Sequence, residues 1–455
     1  MVFVIKFLGT NEWMKMESIL IKDLEAIVTQ DRNRRIIRGA DILIEGKYIS
    51  RVGRDLPNNA DKVIDGQGMI AIPGLVNMHT HIPMSLLRGI ADDMELMEWL
   101  NTKIWPIEAN LDPETVKYGA LLGMLEAIRT GTTMLADMYF FEDEIARAAI
   151  EIGMRAILAS SYMDFGTPQA RDREKAFKIA KDFVKEWKNK EELVIPSLGP
   201  HAPYTCSPDL LQESMDFAIE NDCPIQIHLA EDYSEVEEIK KKYGKTPVKH
   251  VADLGLFKAR VIAAHVIWPN EEEIPLLANR NVLVSHNPIS NLKVAAGISP
   301  VPEMISKGVS VGLGTDGPAS NNTVDMFETM KLAALIHKLA KKDPTIMKAQ
   351  QVLDMATIIP AESLGLNIGS IEEGKLADIV LLKTNLPWWT PLHSVVSHLI
   401  YAARSTDVNI VIINGKIVLR NGKLKTLDEE GIMERATNLS KSLLEKSGVS
   451  SEIMD

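Results

Sequence analysis

Ala71-Ile72-Pro73-Gly74-Leu75-Val76-Asn77-Met78-His79-Thr80-His81 is an apolar run that closes on two histidines. Three later runs end in the same way: Pro224-Ile225-Gln226-Ile227 leads into His228, Val261-Ile262-Ala263-Ala264 into His265, and Val309-Ser310-Val311-Gly312-Leu313-Gly314-Thr315 into Asp316. Short apolar runs bounded by turn residues read as buried strands. Thr132–Asp137, Ala156–Ala159, Leu193–Leu198 and Val282–Ser285 have the same texture. That makes eight strands alternating with helical stretches between about 73 and 370, the count of a closed (β/α)8 barrel, which carries its chemistry at the C-terminal ends of its strands. Imidazoles and a carboxylate at four such ends suit a divalent ion such as zinc.

The flanks read differently. From about 17 to 72 and again from about 371 to 425 the chain shows short strands with turn signals, including Gly46-Lys47 and Asn414-Gly415. The second is a strong hairpin marker. Both ends are therefore expected to build one small β-sandwich beside the barrel. Residues 1–16 read as an N-terminal extension, with Met14 or Met16 an alternative start, and residues 426–455 as a helical tail. The helix after the first barrel strand is expected over Tyr118–Thr130, ending at Gly131.

Composition narrows the function. A net charge of −12 argues against a nucleic-acid partner. No run of 18 apolar residues suggests a membrane span, and the N-terminus lacks the layout of a signal peptide. Two cysteines, Cys206 and Cys223, supply no disulfide framework, which points to the cytoplasm and to packing roles for both.

His79-x-His81 alone is a modest signal. On a strand, residues i and i+2 point the same way, so both rings can meet one ion. His228-Leu229-Ala230-Glu231 and Gly314-Thr315-Asp316-Gly317 strengthen it, because their joint order has a low chance rate. Other matching text is Leu87-Arg88-Gly89, Gly199-Pro200-His201-Ala202-Pro203-Tyr204, Ser285-His286-Asn287-Pro288 and Gly374-Lys375-Leu376-Ala377-Asp378. On these motifs, from about residue 18 to 420, the chain resembles the amidohydrolase superfamily. Within it, it is similar to the 5′-methylthioadenosine/S-adenosylhomocysteine deaminases and their triazine-hydrolase relatives.

The resemblance implies one divalent metal per subunit, zinc by preference, held by His79, His81, His228 and Asp316. Two-metal members carry a bridging lysine near the end of the fourth barrel strand; here that text is Ser197-Leu198-Gly199-Pro200-His201. The resemblance also implies catalytic roles for Glu231 as proton shuttle, His265 as the residue orienting the attacking oxygen, and Asp316 as acceptor of the water's proton. Glu108 matches the carboxylate that binds the ribose diol, and His201 a second substrate contact. Some members hold a homocysteine carboxylate with an arginine after the third strand. This chain reads Leu158-Ala159-Ser160-Ser161-Tyr162 there, with Arg171 and Arg173 in the following segment. That counts against S-adenosylhomocysteine more than against 5′-methylthioadenosine.

The expected function is thus hydrolytic deamination of 5′-methylthioadenosine, S-adenosylhomocysteine or adenosine to the inosine derivative. A guanine, pyrimidine or triazine hydrolase on the same barrel is the nearest rival, and a metal-free binding scaffold a more distant one. The partner is a small nucleoside, with a homodimer or tetramer the family expectation. His250, His337, His393 and His398 read as structural or exposed, His286 as an outer partner of the site, and Trp388-Trp389 as junction packing.

Overall fold

A computed structural model describes residues 17–90 and 92–449; the expected extension and alternative starts, and the last residues of the tail, lie outside them. Eight parallel strands run in sequence order around a barrel: Leu75–Thr80, Thr132–Tyr139, Arg155–Tyr162, Val194–Pro200, Ile225–Leu229, Val261–His265, Leu283–His286 and Ser310–Leu313. The Asp316 N–H donates to the His79 carbonyl at 2.9 Å, so the last strand's end is tied to the first. Val76, Met78, Met134, Ala136, Ile157, Ile262 and Leu283 fill the interior, and helices bury the outer faces in a much larger apolar layer. Strands buried on both sides read as near-continuous apolar runs, which is why they stand out in the sequence.

The run Ala71–Met78 is two strands rather than one. Met69–Pro73 belongs to an outer sheet, and Leu75–Thr80 starts the barrel. Gly74 makes the crossing: a Cβ there would lie 1.9 Å from Thr133 Oγ1. The helix expected from Tyr118 begins earlier, at Pro113, because the Asp112 side chain caps it through the Thr115 N–H.

Nine strands from both ends of the chain form the outer sheet. Its order is Lys423–Leu424, Lys416–Arg420, Val408–Ile413, Ile379–Lys383, Met69–Pro73, Ser18–Val28, Ile36–Glu45 and Tyr48–Gly53, with Lys62–Asp65 paired beside Ser18–Val28. It is one continuous hydrogen-bonded sheet enclosing its own isoleucine-rich core. A register shift between Ile21 and Leu24 bends the long first strand, which pairs with Lys62–Asp65 before the bend and Met69–Pro73 after it. Asn414-Gly415 turns the expected two-residue hairpin with both φ positive. The tail carries the helix Glu429–Ser447, capped by Asp428. Among the described residues no helix is long and apolar enough to cross a membrane.

Candidate active site

His79 lies within the first barrel strand, whereas His81 falls one residue past its end. A register irregularity between Asn77 and Thr80 interrupts the simple alternation expected there. Both rings nevertheless meet His228 and Asp316 at the barrel mouth. Asp316 Oδ1 is 3.5 Å from His79 Nε2 and 3.4 Å from His81 Nε2, and His81 Nε2 is 3.2 Å from His228 Nε2.

The outer nitrogens define the rings. His81 Nδ1 is 2.6 Å from the Met138 carbonyl and His228 Nδ1 is 2.8 Å from the His201 carbonyl. A carbonyl only accepts, so each Nδ1 carries the proton and each neutral ring turns a bare Nε2 inward. Two bare nitrogens facing each other at 3.2 Å repel unless a cation lies between them. Burial reinforces this by holding His79 at about 4 and His228 well below the usual histidine value, so these rings stay neutral. Burial alone would push the Asp316 carboxyl up, but the His79 ring 3.5 Å away and the other imidazoles around it outweigh that and hold the group well below the carboxylate range. His79 Nε2 is buried without a hydrogen-bond partner. Donor atoms of His79, His81 and Asp316, and likewise of His79, His228 and His265, lie within 4.8 Å of one another. Neutral imidazoles, an ionised carboxylate and Nδ1–H bonds to carbonyls are the donor set and outer support of a divalent-metal site.

His265 and Glu231 flank this cluster, with His265 Nε2 3.5 Å from Glu231 Oε1. Burial raises the Glu231 carboxyl above its ordinary value. Its backbone N–H is held at 2.9 Å by Glu235. Glu235 opens the Lys/Glu-rich stretch 235–242, whose text alone reads as a solvated helix face, and the structure corrects that reading. It is buried, accepts the N–H groups of Ala230 and Glu231, and is pushed up by burial to about 8.

A cavity opens over the cluster, lined by His81, His228, Glu231 and Asp316 together with Glu108, Trp105, Met138 and Met163. Glu108 ends the short helix Trp105–Glu108 and is buried. Burial pushes its carboxyl to about 7, against the Tyr139 hydroxyl and the His81 ring. His201 is in the same cavity, its Nδ1 3.0 Å from the Thr205 hydroxyl, and burial lowers it to about 3. Ser161 lines it too, with a buried hydroxyl that has no partner. A second cavity shares Trp105, Glu108, Phe140 and Met163 and extends to Phe165 and Arg171. Arg173 points elsewhere, bonding Glu213 at 2.7 Å and Ser207 at 3.2 Å.

His79, His81, His201, His228, His265, Glu108, Glu231 and Asp316 are therefore all at this mouth. His286, expected as an outer partner, turns its Nε2 to His337 Nε2 at 3.1 Å. The residues that bond His265 and Asp316 directly are Asn287, Ser290, Asn291 and Ser320, which sequence reasoning passed over. Neutral polar residues in a short helix look like ordinary surface text. The signal that could have found them is their place, one turn after a barrel strand end. Cys206 and Cys223 are free and buried, as packing residues would be.

The Amidohydrolase family model matches residues 70–418, and the chain belongs to that family. It is 45% identical over 425 residues to a 5′-deoxyadenosine deaminase of Methanothermobacter thermautotrophicus, covering 93% of this chain and 98% of the relative. It is 48% identical over 389 residues to a 5-methylthioadenosine/S-adenosylhomocysteine deaminase of Dictyoglomus thermophilum, covering 85% and 90%. Among solved structures it is similar to an adenosine deaminase from Xanthomonas campestris with bound zinc, with a TM-score of 0.91 and 35% identity over 93% of this chain and 98% of that one. An atrazine chlorohydrolase from Arthrobacter aurescens complexed with zinc aligns with a TM-score of 0.88 and 29% identity, over 93% and 100%.

Proposed function

We propose that this protein is a zinc-dependent deaminase of 5′-modified adenosines, converting them with water to the corresponding inosines and ammonia. The observation that carries this reading is Glu108, a buried carboxylate facing the same cavity as the histidine cluster. Its two oxygens can accept from both hydroxyls of a ribose diol. A triazine or guanine has no such diol to offer.

His79, His81, His228 and Asp316 would hold the ion. When bound, zinc supplies Lewis-acid chemistry that makes hydroxide available from water near neutral pH. Glu231, whose carboxyl burial raises above its ordinary value, delivers a proton to a purine ring nitrogen as oxygen adds at C6. Asp316 accepts the water's proton, and His265 orients the attacking oxygen. As the C6 hydroxyl becomes the carbonyl, Glu231 takes its proton and passes it to the amine, the C6–N bond breaks and ammonia leaves, and the proton held by Asp316 returns Glu231 to its starting state. The walls near Ser161 are apolar, formed by Met138, Phe140 and Met163, and suit a small uncharged 5′ group. Arg171 at the far end of the adjoining cavity gives a charged 5′ extension a partner, so S-adenosylhomocysteine is the second substrate reading. Two buried free cysteines fit a reducing cytoplasm.

The test is a substrate panel on zinc-loaded enzyme, followed by the ultraviolet change and by ammonia release. 5′-Deoxyadenosine and 5′-methylthioadenosine are expected to have the highest kcat/KM, above S-adenosylhomocysteine. Turnover of guanine or a triazine with none of any adenosine nucleoside would overturn the reading.

A further inference from the structure

The motif Ser285-His286-Asn287-Pro288 runs directly into the six-residue helix Pro288–Lys293, and one turn of it touches two different groups of the site. Asn291 Oδ1 is 2.8 Å from His265 Nδ1. An amide oxygen only accepts, so the Nδ1 carries a proton, and the neutral tautomer this selects is the one with Nε2 bare. That Nε2 is buried, has no hydrogen-bond partner, and belongs to the same cluster as His79 and His228. The Asn287 amide nitrogen lies 3.3 Å from the same Nδ1, and its own oxygen accepts from Ser285 at 2.9 Å. The ring is thus packed against two amides on its outer edge.

The neighbouring residue acts on Asp316. Ser290 donates to Asp316 Oδ2 at 2.6 Å, and Ser320 donates to the same oxygen at 2.8 Å. Two hydroxyls engage Oδ2, so Oδ1 is the oxygen that faces His79 and His81. A third donor, the Gly317 N–H, holds Oδ1 at 2.8 Å. His265 and Asp316 both sit at positive φ, 72° and 66°, where a non-glycine backbone needs surrounding support. Helical spacing brings 287, 290 and 291 together on one side of the turn, and the Asn291 N–H closes it on the Asn287 carbonyl at 3.0 Å.

We propose that the Asn287–Asn291 turn is a positioning clamp for the attacking water: Asn291 fixes His265 with its Nε2 lone pair toward that water, while Ser290 turns Asp316 so that Oδ1 faces it. This rests on the deaminase reading, in which His265 and Asp316 are the water's two partners. Neither Asn291 nor Ser290 needs to touch substrate. The clamp predicts that their loss lowers kcat while leaving KM nearly unchanged, because substrate is gripped elsewhere, by Glu108 and the apolar walls.

The experiment uses Asn291→Leu, Asn291→Asp, Ser290→Ala and the Ser290→Ala/Asn291→Leu pair, each loaded to saturation with zinc and checked for metal content and thermal melting. Removing the outer partner of a site group costs about 10- to 100-fold in activity. That fall is expected in kcat for Asn291→Leu and Ser290→Ala, with recovery in Asn291→Asp, which still accepts from Nδ1. The pair should fall by less than the product of the singles, since both hold one water. Unchanged kcat in both singles, or a loss confined to KM, would overturn the clamp. Where a variant does not fold, ¹⁵N-histidine NMR of the zinc-loaded wild type decides, with the His265 signals assigned through His265→Gln. Nδ1 protonated and Nε2 bare is expected; a protonated Nε2 sinks the proposal. Failure of the deaminase reading shows separately, as wild-type enzyme without turnover of any adenosine nucleoside.

Discussion

The barrel mouth and the junction beneath it treat buried charge in opposite ways. At the junction, Arg155 at the start of the third barrel strand bonds Asp378 of the outer sheet through two nitrogens, at 2.9 and 3.1 Å. The Asn414 N–H adds a third bond to Asp378 at 2.7 Å, so this carboxylate is well supplied with donors. At the mouth, His79 and His265 each bury an Nε2 with nothing to bond. Backbone geometry repeats the contrast. Asn414-Gly415 uses positive φ with residue types that tolerate it, whereas at the mouth Ala230 and the β-branched Val266 adopt it against their preference. Buried groups left short of partners cost stability, so a fold retains them where something other than stability is served. The junction is built to hold; the mouth is built to receive a cation and a substrate.

That contrast can be broken most severely by removing the cation. Chelation is expected to abolish turnover, with recovery on adding zinc and about one ion per chain by elemental analysis. Circular dichroism should show the barrel and sheet still folded, since each has its own apolar core. Two tightly held ions per active chain would end the single-metal assignment. Next in size is Arg155→Ala. Leaving Asp378 buried without its partner should cost about 3–5 kcal/mol, read from denaturant midpoints, while kcat of the folded fraction holds. A stable variant would mean that the junction is not the stabilising half. Glu231→Gln tests the other half: kcat should drop by roughly 100-fold or more with metal content and melting unchanged. Normal turnover would remove Glu231 from the proton path.

Smaller effects sharpen the picture of the substrate side. Glu108→Ala should lose about 1.5–3 kcal/mol in kcat/KM, roughly 10- to 150-fold, for 5′-methylthioadenosine, and little for 2′,3′-dideoxyadenosine. Equal losses on both would disprove the diol contact. The pH response has a definite sign. Burial puts the free-enzyme carboxyl of Glu108 at about 7, and only its ionised form accepts from both hydroxyls. Selectivity for the ribonucleoside over the dideoxy analogue should therefore fall as pH drops through about 7, by about tenfold per unit at most. The same shift means that ionising Glu108 in the folded chain costs stability, which is lost as pH rises through that value. A selectivity that stays flat between pH 6 and 8 would show that Glu108 is already ionised.

The eight strands, the two-ended sheet, the Asn414-Gly415 hairpin and the clustering of His79, His81, His228 and Asp316 at strand ends were legible because each rests on local signals. Apolar runs mark strands, turn residues mark their ends, and histidines or an aspartate at those ends mark the mouth. Glu108, His201, Glu231 and His265 took their expected roles from the family resemblance, and their side chains share one cavity or its rim. Tertiary structure alone decided the rest. Pairing across 223 residues joins Arg155 to Asp378, and no local pattern announces it. The break at Gly74 depends on Thr133, which sits close only after the barrel closes. Glu235 looks solvated by helical periodicity, yet the turn at Ala230 draws it under the site. Asn291 and Ser290 acquire meaning only when strands six and eight bring His265 and Asp316 to either side of their helix. Hydrophobic period and ligand type are written along the chain, whereas hydrogen-bond partnership depends on distances that only the closed barrel sets.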